Sequence, residues 1–203
     1  MGFRRIRPRK IPLQRNEERA SEFKKTFKIL FENLEVWFCD EAGIEGDSPL
    51  RLVWSLTGKR KTCYYSGNHL RDSVVGAVNP KTGVFESLIL PTMDTEAFQY
   101  FLDFFNERLR GRYVLMVLDN ATWHKAKSLR WGTILPVYLP PYSPDLNPIE
   151  ILWKVLKDRL FNEMPPEDND ELQDRIQAVI REFHDHPEEV MSICKVKYYT
   201  LSK

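Results

Sequence analysis

The run Tyr113-Val114-Leu115-Met116-Val117-Leu118 is apolar throughout and closes on Asp119. Such a run suits a strand buried on both faces of a sheet. Both faces must then be covered, and the chain carries helices to do it. Ala97, Phe98, Phe101, Leu102 and Phe105 recur at helical spacing after Thr92 or Asp94, and Gly111 follows their end. Ile149, Leu152, Trp153, Leu156 and Leu160 make a second stripe over 147–161. Leu172, Ile176, Val179, Ile180 and Phe183 make a third over 169–184, and residues 17–32 could form a fourth helix around Phe23, Phe27 and Phe31.

Between these helices the pattern is that of strands. Leu34, Val36 and Phe38 alternate with Glu35, Trp37 and Cys39, and the run stops at Asp40, ahead of a polar loop over 41–49. Leu52–Leu56 and Thr62–Tyr65 could pair across Thr57-Gly58-Lys59-Arg60. Ser73–Val78 and Val84–Leu90 flank Asn79-Pro80-Lys81-Thr82-Gly83, a strong hairpin signal. Residues 122–130 read as a short helix and 133–139 as a last strand. The order predicts an α/β fold, a mixed sheet with helices on both faces. The single helix between 84–90 and 113–118 is long enough for a crossover to a parallel strand. Sites in such sheets form beyond the carboxyl ends of strands, where Asp40 and Asp119 fall.

With 203 residues, 42% of them hydrophobic and 29% charged, the chain can build one full domain and a small appendage. No apolar run approaches the roughly 20 residues of a membrane helix, and no signal peptide follows Met1; a cytoplasmic protein is expected. Cys39, Cys63 and Cys194 lack metal-site spacing and read as reduced thiols. The net charge of +1 hides a basic start: residues 1–30 carry ten Lys or Arg against three Glu. Arg4, Arg5, Arg7, Arg9 and Lys10 surround Pro8, either as an arm on DNA phosphates or as a flexible linker.

Three strings hold the candidate chemistry: Phe38-Cys39-Asp40-Glu41-Ala42-Gly43, Leu118-Asp119-Asn120-Ala121-Thr122-Trp123-His124-Lys125, and Tyr138-Leu139-Pro140-Pro141-Tyr142-Ser143-Pro144-Asp145-Leu146-Asn147-Pro148-Ile149-Glu150. Two carboxylates at strand ends and one in the first turn of a helix can converge, and oxygen-only clusters suit Mg²⁺ or Mn²⁺. Each residue also has a plainer reading. Asp40 could cap a turn, and Asp119 could form an Asx turn. Asn147 and Glu150 are spaced as a capping box, which would occupy the glutamate. His124 could orient a ligand, touch a substrate phosphate, or be an ordinary surface histidine. Lys154 and Lys157 could reach DNA phosphates, or Lys154 could pair with Glu150 one turn away.

The second and third strings resemble the catalytic motifs of bacterial insertion-sequence transposases of the mariner superfamily, and the first string resembles their first motif. The resemblance covers roughly residues 33–163. It implies a ribonuclease-H-like catalytic domain with a mixed five-stranded sheet and an Asp-Asp-Glu triad of Asp40, Asp119 and Glu150. It implies two Mg²⁺ or Mn²⁺ ions per site, with Asp40 bridging them. It implies cleavage at transposon ends and strand transfer into target DNA at a TA step, in a synaptic homodimer on the bacterial nucleoid. Asp119 and Glu150 are separated by 30 residues, a little less than is usual in mariner relatives.

The same resemblance divides the chain into a basic arm and short helix over 1–32, the catalytic domain over 33–163, and a helical extension over 164–203. Full-length relatives carry a helix-turn-helix region ahead of the catalytic domain. Residues 1–15 resemble the linker that follows it, so a separate helix-turn-helix partner or a full-length transposase is an expected companion. Two other functions stay open at this stage. One is a non-catalytic module that dimerises with an intact transposase, using the C-terminal helices with Tyr198 and Tyr199. The other is a nuclease without strand transfer.

Overall fold

The computed structural model describes residues 12–47, 57–59, 62, 64–160 and 164–195. Within them lie five strands, β1 (Val36–Glu45), β2 (Arg71–Val78), β3 (Phe85–Leu90), β4 (Val114–Leu118) and β5 (Ile134–Tyr138). They form one sheet in the order β3-β2-β1-β4-β5. The β1–β2 and β2–β3 pairs are antiparallel, and the β1–β4 and β4–β5 pairs are parallel. The described residues also include helices α1 (Glu17–Asn33), α2 (Thr95–Leu109), α3 (Ile149–Leu160), α4 (Asn169–Asp185) and α5 (Pro187–Ile193).

Strand alternation divides the core into two layers. Val36, Phe38, Ala42 and Ile44 of β1 face α1, α3, α4 and α5, together with Phe27, Leu152, Trp153 and Phe183. Trp37 and Cys39 face α2, together with Phe98, Phe101, Leu102 and Phe105. The mixed sheet covered on both faces is therefore present, and β4 is buried along its whole length. Asp94 starts α2, its Oδ1 accepting from the N–H groups of Glu96 and Ala97 at 2.9 Å. Arg159 of α3 donates to Glu182 of α4 at 2.9 Å and also to Glu189 of α5, tying three helices together.

Two local expectations need correction. β1 does not stop at Asp40. It runs on to Glu45 because β2 offers a ladder partner for each residue through Glu45↔Arg71, and because Ala42 and Ile44 continue the buried alternation. The segment 122–130 is helical only as a 3-10 turn over Trp123–Lys125. Ala126 is extended there, with ψ 129°, and Leu129 and Trp131 drop onto the α2 layer. Within the expected helical extension over 164–203, α4 is followed by the short α5, with Pro187 at its first turn as a usual opening. The proposed pairing of 52–56 with 62–65 falls largely outside the described residues.

Gly76 is the β2 residue paired with Asp40. A Cβ there would lie 2.7 Å from Phe85 Cε2 and 2.8 Å from Trp153 Cη2. Phe85 and Trp153 meet edge to face at 5.7 Å, so the missing side chain lets α3 settle close to the sheet beside Asp40. Gly76→Ala should therefore destabilise the fold by about 1–3 kcal/mol through overpacking. Urea unfolding of the two proteins measures the difference, and an unchanged midpoint would mean that α3 yields without strain.

Candidate active site

The parallel register Val36↔Leu115, Trp37↔Met116, Phe38↔Val117, carried two residues further, sets Asp40 level with Asp119. Adjacent strands lie about 4.8 Å apart, so these two acids are neighbours by construction. β4 ends there and β1 continues, which opens a cleft at the carboxyl end of β4. Glu150 enters from the start of α3. Asp40, Asp119 and Glu150 all line this cleft of about 480 Å³, with Asn120, Leu139–Pro144 and Asn147.

Asp40 is buried in the sheet, whereas Asp119 and Glu150 stand at the exposed side of the cleft. Burial pushes the Asp40 carboxyl well above the usual range, and the charges of Glu150, Glu41 and Asp119 push it further. Glu150 is raised as well, first by loss of solvent and then by Asp119, with Lys157 opposing. Asp119 goes the other way. Contact with the His124 ring holds it below the usual range against partial burial, and the Ala121 N–H helps.

The three acids thus offer oxygen donors only, and of the three Asp119 alone is paired with a cationic ring, a donor set that fits a hard divalent cation. They share the cleft without forming a closed shell. Among the described residues no trio of His, Cys, Asp or Glu stands ready to hold a metal ion. Mutual repulsion keeps such carboxylates apart, and a cation between them reverses that force.

The plainer readings resolve one by one. Asp119 does form the Asx turn: its Oδ1 accepts from the Ala121 N–H at 2.9 Å. The same oxygen lies 2.9 Å from His124 Nδ1, which leaves the turn and the ring on Oδ1 and Oδ2 for another ligand. The capping box is not formed. Asn147 turns its side chain inward, and its Nδ2 donates to the Cys39 carbonyl at 3.1 Å, while its Oδ1 is buried without a hydrogen-bond partner. The Glu150 carboxylate is therefore released toward the cleft. No ion pair links Glu150 with Lys154 among the described residues. Lys154 is exposed and Lys157 half-buried along α3 below the cleft.

His124 is neither a surface histidine nor a phosphate contact, because it is fully buried. Its ring packs 4.4 Å from that of Phe98, and Tyr138 donates its hydroxyl to the His124 carbonyl at 2.8 Å. Its Nε2 lies 2.8 Å from Glu41 Oε1, opposite the nitrogen that meets Asp119. Burial opposes charge on the ring, but the two carboxylates outweigh it and raise its pKa to about 9. Arg4, Arg5, Arg7, Arg9 and Lys10 lie outside the described residues.

Two site residues escaped the sequence reading, Glu41 and, as a tether, Asn147. Glu41 did carry a signal. It follows Trp37 and Cys39 on the face of β1 that meets the apolar α2 layer, where a carboxylate needs a partner.

Residues 35–173 match the family of DDE superfamily endonucleases. The chain belongs to that family. Protein y4pE/y4sA of Sinorhizobium fredii, itself uncharacterized, is 34% identical over 122 residues, covering 59% of this chain and 90% of that protein. An uncharacterized 39 kDa protein of insertion element IS630 from Shigella sonnei is 26% identical over 135 residues, covering 62% of this chain and 38% of that protein. The chain thus spans well under half of the IS630 protein.

Among solved structures, the Mos1 strand transfer complex matches with a TM-score of 0.65 and 20% identity, covering 100% of this chain and 68% of that one. The Mos1 mariner paired-end complex with Mn matches with a TM-score of 0.67 and 17% identity, covering 100% and 69%. At such identities the likeness establishes the fold, which is ribonuclease-H-like. Family and fold agree: a DDE superfamily endonuclease on a ribonuclease-H-like sheet. No helix among the described residues is long and apolar enough to cross a membrane.

The buried histidine gives this DDE endonuclease a pH signature. A pKa raised from 6.5 to about 9 on folding makes a stabilising contribution that is complete below about pH 6.5 and is lost as the pH rises through about 9. Urea unfolding of the metal-free protein between pH 6 and pH 10 should show that loss, and His124→Gln should remove this part of the pH dependence. A parent protein equally stable at both ends of the range would mean that the ring is neutral when folded.

Proposed function

We propose that this chain is the catalytic domain of a DNA transposase, cutting DNA at the ends of an element and joining those ends to target DNA with divalent metal ions. The observation that carries the proposal is the meeting of Asp40, Asp119 and Glu150, from β1, the end of β4 and the start of α3, in one cleft. Asp40, Asp119 and Glu150 would hold the Mg²⁺ or Mn²⁺ ions, Asp119 having its Oδ2 still free of the turn and the ring. When bound, such ions supply a deprotonated water as attacking group and neutralise charge on the departing 3′ oxygen.

The chain's own residues do the rest by position and charge. Buried Asp40 fixes the floor of the cleft. Pro140, Pro141 and Pro144 stiffen the wall that leads to Glu150. Lys154 and Lys157, one and two turns along α3, would take phosphates of the bound strand, and the basic segment with Arg4, Arg5, Arg7, Arg9 and Lys10 would add to that grip. A synaptic homodimer is the working assembly on this reading; Mos1 itself has been solved in paired-end complexes.

The test is nicking of DNA carrying the element's ends, with Mg²⁺ or Mn²⁺ and with chelator. The parent should nick only with metal, and Asp119→Asn should lower the rate at least 100-fold. A variant that nicks as the parent does would remove Asp119 from the ligand set. A strand-joining assay with pre-cut ends then separates a transposase, which joins them, from a nuclease, which does not.

A further inference from the structure

The sequence Asp40-Glu41 puts two carboxylates on opposite faces of β1. Asp40 faces the α3 side and lines the cleft. Glu41 faces the α2 side and is not a cleft-lining residue; its side chain is 12% exposed, and its Oε1 lies 2.8 Å from His124 Nε2. On the other side of that ring, Nδ1 lies 2.9 Å from Asp119 Oδ1, an ion-pair contact whose alignment falls short of a hydrogen bond. A fully buried imidazole therefore spans from Glu41 to the carboxylate at the end of β4.

This bridge is more than packing. A buried ion pair can often be replaced by apolar residues of similar volume without loss of stability, so the fold alone does not call for it. Asp119 does. It is half exposed in a turn beyond its strand, where without the ring only the Ala121 N–H would hold one of its oxygens. The ring is held against Phe98 and by Glu41 at Nε2, and Tyr138 holds the backbone carbonyl of the same residue, so that Nδ1 is left facing Asp119. Ligands of metal sites are commonly aimed by such outer partners, whose loss costs about 10–100-fold in metal affinity or activity.

We propose that Glu41 is a positioning residue that aims Asp119 into the cleft through His124; this rests on the metal-binding reading of the cleft. One strand then sets two of the three acids, Asp40 directly and Asp119 by way of the ring.

The test is calorimetric titration of the metal-free protein with Mn²⁺, comparing the parent with Glu41→Gln, Glu41→Asp, His124→Gln and the Glu41→Gln/His124→Gln double variant, with thermal unfolding recorded for each. Glu41→Gln and His124→Gln should each weaken Mn²⁺ binding about 10-fold. The double variant should be no weaker than either single one, because both changes break the same bridge. Glu41→Asp keeps the charge but withdraws the oxygen from the ring, and should weaken binding as Gln does.

Parent-like affinity in Glu41→Asp with a loss in Glu41→Gln would mean that Glu41 acts only through its charge, and would overturn the proposal. Parent-like affinity in both, or losses that multiply in the double variant, would overturn it as well. Should Glu41→Gln melt below the titration temperature, Glu41→Asp and His124→Gln decide by the same criteria. A parent that binds no Mn²⁺ would instead sink the metal reading, and this inference with it.

Discussion

The site depends on one property of an extended chain, that neighbouring residues point to opposite sides. Three consecutive residues of β1 use it. The Cys39 carbonyl receives Asn147 and so locates the start of α3. The Asp40 side chain lines the cleft. Glu41 meets the ring that touches Asp119. Because β1 is flanked on one side by the antiparallel β2 and on the other by the parallel β4, it cannot slip by one residue without turning Phe38, Ala42 and Ile44 out of one core layer and Trp37 out of the other. The hydrophobic layers thereby fix the placement of the carboxylates to within the pleat of a strand.

That placement works against local stability. Asp40 is a buried acid with like charges around it, and its raised pKa is the sign of an unfavourable charged form. The surrounding structure sustains it. Phe85, Trp153 and Phe183 close over the sheet near Gly76, and Arg159 clamps α3 to α4 and α5. The C-terminal helices are part of the same apolar layer as α3, through Leu172, Ile176, Phe183 and Val190, and so brace the helix that carries Glu150. A cation would relieve the repulsion that the core here holds in place.

The architecture could be read in the sequence wherever burial forces a period. The two-sided burial of β4, the stripes of α2, α3 and α4 and the hairpin around Gly83 each leave such a mark. What could not be read depends on contacts across the chain. The end of β1 was misplaced because Glu41-Ala42-Gly43-Ile44-Glu45 looks like loop until β2 is laid beside it. His124 stays open in the sequence between a ligand-orienting, a phosphate-touching and a surface role, because the burial of one polar side chain leaves no periodic trace and its partner Glu41 lies 83 positions away. The motifs single out three acids that the fold brings to one cleft, but not which of their oxygens are already engaged.

The segment Asn147-Pro148-Ile149-Glu150 shows how a short string can settle a competition between structure and chemistry. Asparagine is among the best N-cap residues, and a glutamate three positions later normally closes the cap. Here the asparagine amide is taken by the Cys39 carbonyl, and Pro148, with no N–H to satisfy, stands at the helix start instead. Ile149 is fully buried in the α3 layer. One helical step of about 100° then turns the next residue away from that layer. Glu150 emerges at the cleft because the residue before it is anchored in the core and the residue that would have capped with it is anchored to β1.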